Sequence, residues 1–210
     1  MNNVLKSSLK TAFCLGIFTF LSLSLIVFVH TSTDDYVKNA ANKRLNDQIG
    51  KMIPGIEYDN NLVESCTLYR DPVLTESHEY EVYTAFKDGN AVGYVIRSMT
   101  LEGYAGAIEL LTGVDVDGEI KRVEVLSQSE TPGLGDRVLR SNGNWLDQFN
   151  NSSLANKKFA VEKDGGDFTY TTGATVTPRA IVNAEKKLLK KLSLGSIVES
   201  SHKCKTSSQE

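Results

Sequence analysis

Two Asp-Gly pairs, Asp88-Gly89 and Asp117-Gly118, each stand between stretches in which apolar and polar residues alternate. Such a pair supplies the positive-φ positions of a tight hairpin turn, and a period of two gives each flanking strand one face for the core. Tyr80, Val82, Thr84 and Phe86 alternate with Glu81, Tyr83 and Ala85 before the first pair, and Val92, Tyr94 and Ile96 alternate after it. The second pair joins the stretch Ala107 to Val116 to Ile120, Val123 and Val125. Antiparallel sheet is therefore expected to dominate the middle of the chain. Lys157 to Lys163 alternates as a further strand, ended by a turn at Asp164-Gly165-Gly166.

Helical spacing lies outside this block. Val37, Ala41, Leu45, Ile49 and Met52 follow it until Pro54-Gly55, and their narrow apolar stripe suits either a membrane surface or docking on the domain. Gly143 to Phe149 reads as a short helix whose Trp145, the single tryptophan, is expected in the core. Ile181, Ala184, Leu188 and Leu192 mark a C-terminal helix, with Lys186, Lys187, Lys190 and Lys191 gathered where cations complement the helix dipole. The class is α+β. No Gly-x-Gly-x-x-Gly follows a strand, so a dissociable dinucleotide is not indicated.

The run Thr11 to Val29 carries no charged residue, and 19 positions at about 1.5 Å each approach the roughly 30 Å hydrocarbon core. It reads as a transmembrane helix. Lys6 and Lys10 precede it and Asp34 and Asp35 follow, which places the N-terminus in the cytoplasm and the domain in the periplasm. Basic residues before an apolar run also fit a cleavable signal; the length of the run and the lack of a small-x-small site at Ile26-Val27-Phe28-Val29-His30 favour retention. The expected organisation is a cytoplasmic N-terminus (1–10), a transmembrane helix (11–29), a connecting helix and domain start (30–77), a domain core (78–195) and a polar tail (196–210).

Beyond the run, 21 bases face 26 acids. That balance offers no basic surface for nucleic acid. Cys14 lies inside the run, which leaves Cys66 and Cys204 either to pair or to remain two thiols. His30, His78 and His202 lack ligand spacing, so no metal site is expected.

Near the C-terminus, Thr171-Thr172-Gly173-Ala174-Thr175-Val176-Thr177-Pro178 places small residues and hydroxyls just before the predicted helix. Thr177 suits the N-cap and Pro178 the first helical position. The unpaired amides and positive dipole end of such a helix favour an anion, and Thr175 can bind a phosphate or be esterified to one. Local chemistry alone favours a well-made loop. The segment Asp167 to Thr175, however, resembles the flavin-attachment motif of the FMN-binding domain family. With Gly103-Tyr104-Ala105-Gly106-Ala107-Ile108, Glu130-Thr131-Pro132-Gly133-Leu134-Gly135-Asp136 and Lys163-Asp164-Gly165-Gly166-Asp167-Phe168, nearly the whole chain resembles the G-subunit family of Rnf (Rsx) electron transport complexes. The C-subunit family of sodium-pumping NADH:quinone reductases shares the motif on a longer chain.

The resemblance implies a covalent FMN, joined through its phosphate to Thr175, with Thr172, Gly173, Ala174 and Thr177 lining the phosphate. It implies further contacts from Glu130, Gly133 and Leu134, and from Tyr104 by stacking. Without it, the Pro-Gly segment reads as an ordinary turn with Glu130 in solvent, and Tyr104 as a core residue of a strand. It also implies the partners: the other membrane subunits of the complex, an external flavin transferase using FAD, and lipid around one helix. The activity implied is electron transfer of ferredoxin/NAD type coupled to ion translocation, in which the isolated chain is a carrier with no catalytic triad or base. A membrane-tethered binding or assembly module, and a free-standing flavin reductase, are the alternative classes.

Overall fold

The turn chemistry of the first Asp-Gly pair is realised directly, for Asp88 and Gly89 both have positive φ, 51° and 79°. Between them they close a two-residue hairpin whose twist matches that of its strands. The computed structural model describes residues 12–13, 15–25, 43, 45–70, 79–170, 172–193 and 202–204. Its strands are β1 (Thr67–Arg70), β2 (Glu79–Lys87), β3 (Asn90–Thr100), β4 (Ile108–Asp115), β5 (Ile120–Ser127) and β6 (His202–Lys203). They form one sheet in the order β5-β4-β3-β2-β1-β6, and every pair is antiparallel. The second expected hairpin is β4–β5. There Asp115 organises the connection, because its carboxylate accepts the amides of Asp117 and Glu119 at 3.0 and 2.8 Å.

The period of two sends side chains to two separate cores. On one face, Val82, Ile96, Ile108, Leu110, Val114 and Val123 pack with Ile181 and Leu188 of the C-terminal helix, Val176–Ser193. On the other, Tyr83, Ala85, Val95 and Leu111 receive Ile49, Met52, Ile53 and Leu62. The segment after the helical residues 45–50 thus docks on the domain, one of the two placements its apolar stripe allows. Gly113 makes the docking possible: a Cβ there would lie 1.9 Å from the Met52 carbonyl oxygen, so any side chain would expel the docked segment.

The short strands β1 and β6 are not signalled by the sequence. β1 pairs with β2, and β6 joins β1 beside the disulfide Cys66–Cys204, whose Cα atoms are 5.4 Å apart. Beside it the Cys204 amide donates to the Cys66 carbonyl at 3.2 Å. The bridge settles the cysteine question in favour of pairing and pins the C-terminal segment to the sheet.

Two local expectations fail for packing reasons. Lys157 to Lys163 is not a strand: the chain turns back through a 3-10 helix, Glu162–Asp164, and Val161 makes only an isolated parallel bridge to Phe168. What alternates there is the burial of Phe159 and Val161. Phe168 packs on Phe159 and Phe149 at 4.8 and 4.6 Å between ring centroids, so aromatic anchors fix the path where a ladder was expected. Trp145 is half-buried at the core's margin rather than inside it, and its 3-10 helix spans Trp145–Phe149, starting later than Gly143.

The residues up to Arg44 form a unit separate from Leu45 onward. Residues 15–25 are helical, and Phe18, Phe20 and Leu23 among them are exposed. Among the described residues no helix is long and apolar enough to cross a membrane. Thr11, Cys14 and residues 26–29 of the expected span lie outside the described residues, as do Lys6, Lys10, His30, Val37, Ala41, His78 and most of the tail.

Glu185 is fully buried in the helix–sheet core. Glu185 accepts the Thr112 hydroxyl at 2.8 Å through Oε1, and its Oε2 has no hydrogen-bond partner. Burial pushes its carboxyl up from 4.5 to about 7, opposed by the Thr112 bond. The folded chain therefore holds this proton more tightly than the unfolded chain. The resulting stability is full below about pH 4.5 and is lost as pH rises through about 7.

Glu185→Gln is expected to flatten the melting-temperature profile between about pH 5 and 8 and to stabilise the chain at the alkaline end by on the order of 3 kcal/mol. An unchanged slope would refute the assignment. Reducing the disulfide, or Cys204→Ser, is expected to cost about 2–5 kcal/mol in urea unfolding, since it frees a long loop in the unfolded chain; equal midpoints with and without reductant would show that the bridge adds nothing.

Candidate functional site

Three loops meet on one buried carboxyl group. Glu130 is only 5% exposed. Its Oε1 accepts the Ala105 amide at 3.1 Å, from the connection between β3 and β4. Its Oε2 accepts the Thr177 hydroxyl at 2.6 Å, from the start of the C-terminal helix. The fit is close on both sides: a Cβ on Gly103 would lie 2.8 Å from Oε1, and one on Gly135 would lie 2.6 Å from Oε2 and 2.8 Å from the Thr177 oxygen. Glu130 is thus a tie between segments rather than a solvent-facing turn residue. The turn that carries it closes on itself, as the Leu134 and Gly135 amides donate to the Thr131 carbonyl, each at 3.1 Å, and the Gly133 amide to Asp136 at 2.7 Å.

The helix begins earlier than its sequence suggests. The Arg179 amide donates to the Thr175 carbonyl at 3.1 Å, which makes Thr175 the N-cap and Val176 the first helical residue. Thr177 therefore does not cap; its hydroxyl is buried and committed to Glu130. Pro178 stands third in the helix, where its missing donor costs nothing, because the first-turn amides have no acceptor within the helix. Thr175 is half-buried, Ala174 likewise, and Thr172 and Gly173 are exposed. Gly173 has φ 85° and open space where a Cβ would be, so the chain turns there without covering Thr175.

The other end of this loop is also fixed. Phe168 is fully buried. Asp167 accepts the Lys158 amide at 2.7 Å, a structural use for the acidic residue of the motif. Arg179 makes two bonds to Asp164, at 2.6 and 2.9 Å, and this guanidinium holds the Asp164 carboxyl below its ordinary range.

Of the residues singled out in the sequence, the fold brings Glu130 and Thr177 into direct contact and seats Gly133 and Leu134 on the same turn. Tyr104 is not a strand or core residue: it lies in a bend next to Ala105 and is 73% exposed. Leu134 is 45% exposed. Two apolar residues not singled out, Leu101 and Val176, are exposed on the same tied segments. Val176 could have been noticed because it falls outside the Ile181–Leu188 stripe of its helix. Gly103 and Gly135 gain their significance only from the carboxyl they flank. The tied segments therefore display apolar surface beside a helix N-terminus bearing a half-buried hydroxyl.

Comparison with known proteins matches residues 103–190 to the FMN-binding domain family. That interval contains all three loops and Thr175. The chain is also similar to the G subunit of the ion-translocating oxidoreductase complex of Vibrio vulnificus (strain YJ016), at 36% identity over 184 residues, covering 86% of this chain and 87% of that protein. The G subunits of the same complex from Salmonella typhi and Shewanella loihica (strain ATCC BAA-1088 / PV-4) are each 36% identical, over 88% of this chain and 90% and 89% of their own lengths.

Thr177→Val keeps the shape and removes the donor to a buried carboxyl. It is expected to cost about 1.5–3 kcal/mol in chemical unfolding and to increase exchange of the Ala105 amide. Wild-type stability and exchange would show that the tie does not hold the loops.

Proposed function

This chain belongs to the family of the G subunits of ion-translocating oxidoreductase complexes, and from that premise we propose that it is the FMN-bearing electron carrier of such a complex, with the flavin esterified through its phosphate to Thr175. The observation that carries the reading is the place of Thr175. Its hydroxyl stands at the N-cap of an 18-residue helix, next to a positive-φ glycine that leaves it open to approach.

The residues present suit that group. The unpaired first-turn amides and the dipole of the helix favour a phosphodiester by about 0.3–1 kcal/mol. Thr172, Gly173 and Ala174 offer little bulk against it. Tyr104, Leu134 and Val176 offer exposed apolar surface of the kind a planar ring covers. FMN would supply the one- and two-electron redox chemistry. The chain's own share is to retain and orient the cofactor, and the Glu130 tie performs that by fixing the loops against the helix start. Attachment through phosphate leaves the ring's electronics to non-covalent contacts. Proton transfer by a general base or attack by a nucleophile is not required of a carrier whose substrate is another redox centre.

In this reading the run Thr11 to Val29 anchors the chain in the inner membrane with its N-terminus cytoplasmic and the domain periplasmic. Electrons pass between neighbouring membrane subunits of a complex linking a ferredoxin-type couple to NAD and driving ion movement. A transferase on the same side installs FMN from FAD.

Thr175→Ala is expected to abolish covalent flavin and leave the fold intact. The check is intact mass and the visible spectrum of acid-precipitated protein exported alongside an active transferase. A yellow pellet from the Thr175→Ala chain would remove Thr175 from this role, and a colourless wild type of unmodified mass would favour a membrane-tethered binding module.

A further inference from the structure

The acceptor loop stands on two footings, and the second has no assigned purpose. After Phe168 the chain emerges at Thr169, and one short 3-10 helix, Trp145–Phe149, grips that residue by three hydrogen bonds. Trp145 Nε1 donates to the Thr169 carbonyl at 2.9 Å. The Thr169 amide and hydroxyl donate to Gln148 Oε1 at 2.8 and 3.3 Å. Gln148 is itself oriented, because its Nε2 donates to the Trp145 carbonyl at 2.8 Å and so turns its oxygen toward Thr169. Beneath the grip, Phe149 packs on Phe168 at 4.6 Å and Trp145 meets Phe149 edge-on at 5.6 Å.

A core held by Phe149 and Phe168 does not need this arrangement for burial. Thr169 is exposed, and Trp145 and Gln148 are half-buried. The bonds instead satisfy the backbone of Thr169, and Tyr170 after it packs back against the core, so the chain is fixed just before the loop. At the far end, Thr177 is fixed on Glu130. Thr172 to Thr175 thus lies between two anchored residues, Thr169 and Thr177, with Thr172 and Gly173 exposed.

We propose that Trp145 and Gln148 are positioning residues for flavin attachment: they clasp Thr169 so that the loop presents the Thr175 hydroxyl to an incoming FAD. The inference rests on the reading of Thr175 as the acceptor. In the transfer, a bond forms between Thr175 Oγ1 and the phosphorus of the FMN half of FAD, and the pyrophosphate P–O bond breaks. AMP leaves, the hydroxyl proton passes to the leaving phosphate or to solvent, and no atom changes oxidation state. A clasp contributes by keeping the nucleophile in a narrow range of orientations, a factor to which group transfer is steeply sensitive.

The test is the time course of FMN incorporation into the full-length chain in membranes, with FAD and an active flavin transferase, followed by in-gel fluorescence and peptide mass. Gln148→Leu removes the acceptor for Thr169, and Trp145→Phe removes the donor while keeping a ring. Both are expected to slow labelling of Thr175 roughly tenfold or more, with melting temperatures within a few degrees of wild type. Gln148→Glu, which retains an acceptor for the Thr169 amide, is expected to recover most of the rate. Hydrogen exchange at that amide should be faster in Gln148→Leu and near wild type in Gln148→Glu. Wild-type labelling rates in both Gln148→Leu and Trp145→Phe would overturn the inference, as would slow labelling that Gln148→Glu does not rescue. If Gln148→Leu melts well below wild type, Trp145→Phe decides. A wild-type chain that takes up no FMN beside a labelled control would instead overturn the reading of Thr175 itself.

Discussion

Burying a carboxyl group between three loops makes sense only if each of its oxygens finds a donor, and Glu130 solves that with a backbone amide and a hydroxyl rather than a cation. Ala105 comes from the β3–β4 connection, Thr177 from the helix start, and Glu130 itself from the segment after β5. None of these segments has a regular ladder to hold it. The group that would be expensive to leave unsatisfied is therefore what fixes their mutual position. The same crowding excludes side chains at Gly103 and Gly135, which explains small residues on both flanks without appeal to flexibility.

The sheet supports this arrangement from both sides. One face carries the C-terminal helix, which follows its N-cap Thr175 and bears Thr177 and Arg179 near its start; the other carries the segment that follows residues 45–50, seated over Gly113. A redox carrier that must meet neighbours at fixed distance gains from such a two-sided core, because neither the C-terminal helix nor the docked segment can shift without disturbing packed aliphatic surface. Cys66–Cys204 adds a covalent edge to the same body. Glu185 is a buried ionisable group in the helix–sheet interface, bonded at one oxygen to Thr112, and it makes stability decline as pH rises from about 4.5 through about 7.

The hairpins β2–β3 and β4–β5 were legible because their turns are local: Asp88-Gly89 and Asp117-Gly118 specify backbone conformation within a few residues, and alternation specifies which face is buried. The C-terminal helix was legible for the same reason, through Ile181 and Leu188. Its first residue was not. Thr177 looked like a cap, since a hydroxyl before proline is a good local signal, but the helix begins at Val176 and the Thr177 hydroxyl donates instead to Glu130, 47 residues away. Lys157 to Lys163 misled in a similar way, because the alternation of Phe159 and Val161 records aromatic packing against Phe149 and Phe168, not a ladder. The short strands β1 and β6 left no periodic trace, and β6 joins β1 beside a disulfide between residues 138 positions apart.

Sequence alone determined the α+β class, the two Asp-Gly hairpins and the C-terminal helix, because each rests on backbone preferences and periodicities spanning fewer than about a dozen residues. Tertiary structure alone decided that Glu130 is buried, that Thr177 serves it, that Tyr104 and Leu134 face outward, and that Cys66 meets Cys204. Those outcomes turn on which distant group arrives to satisfy a donor, an acceptor or an apolar face, and that competition is resolved only when the chain has closed on itself.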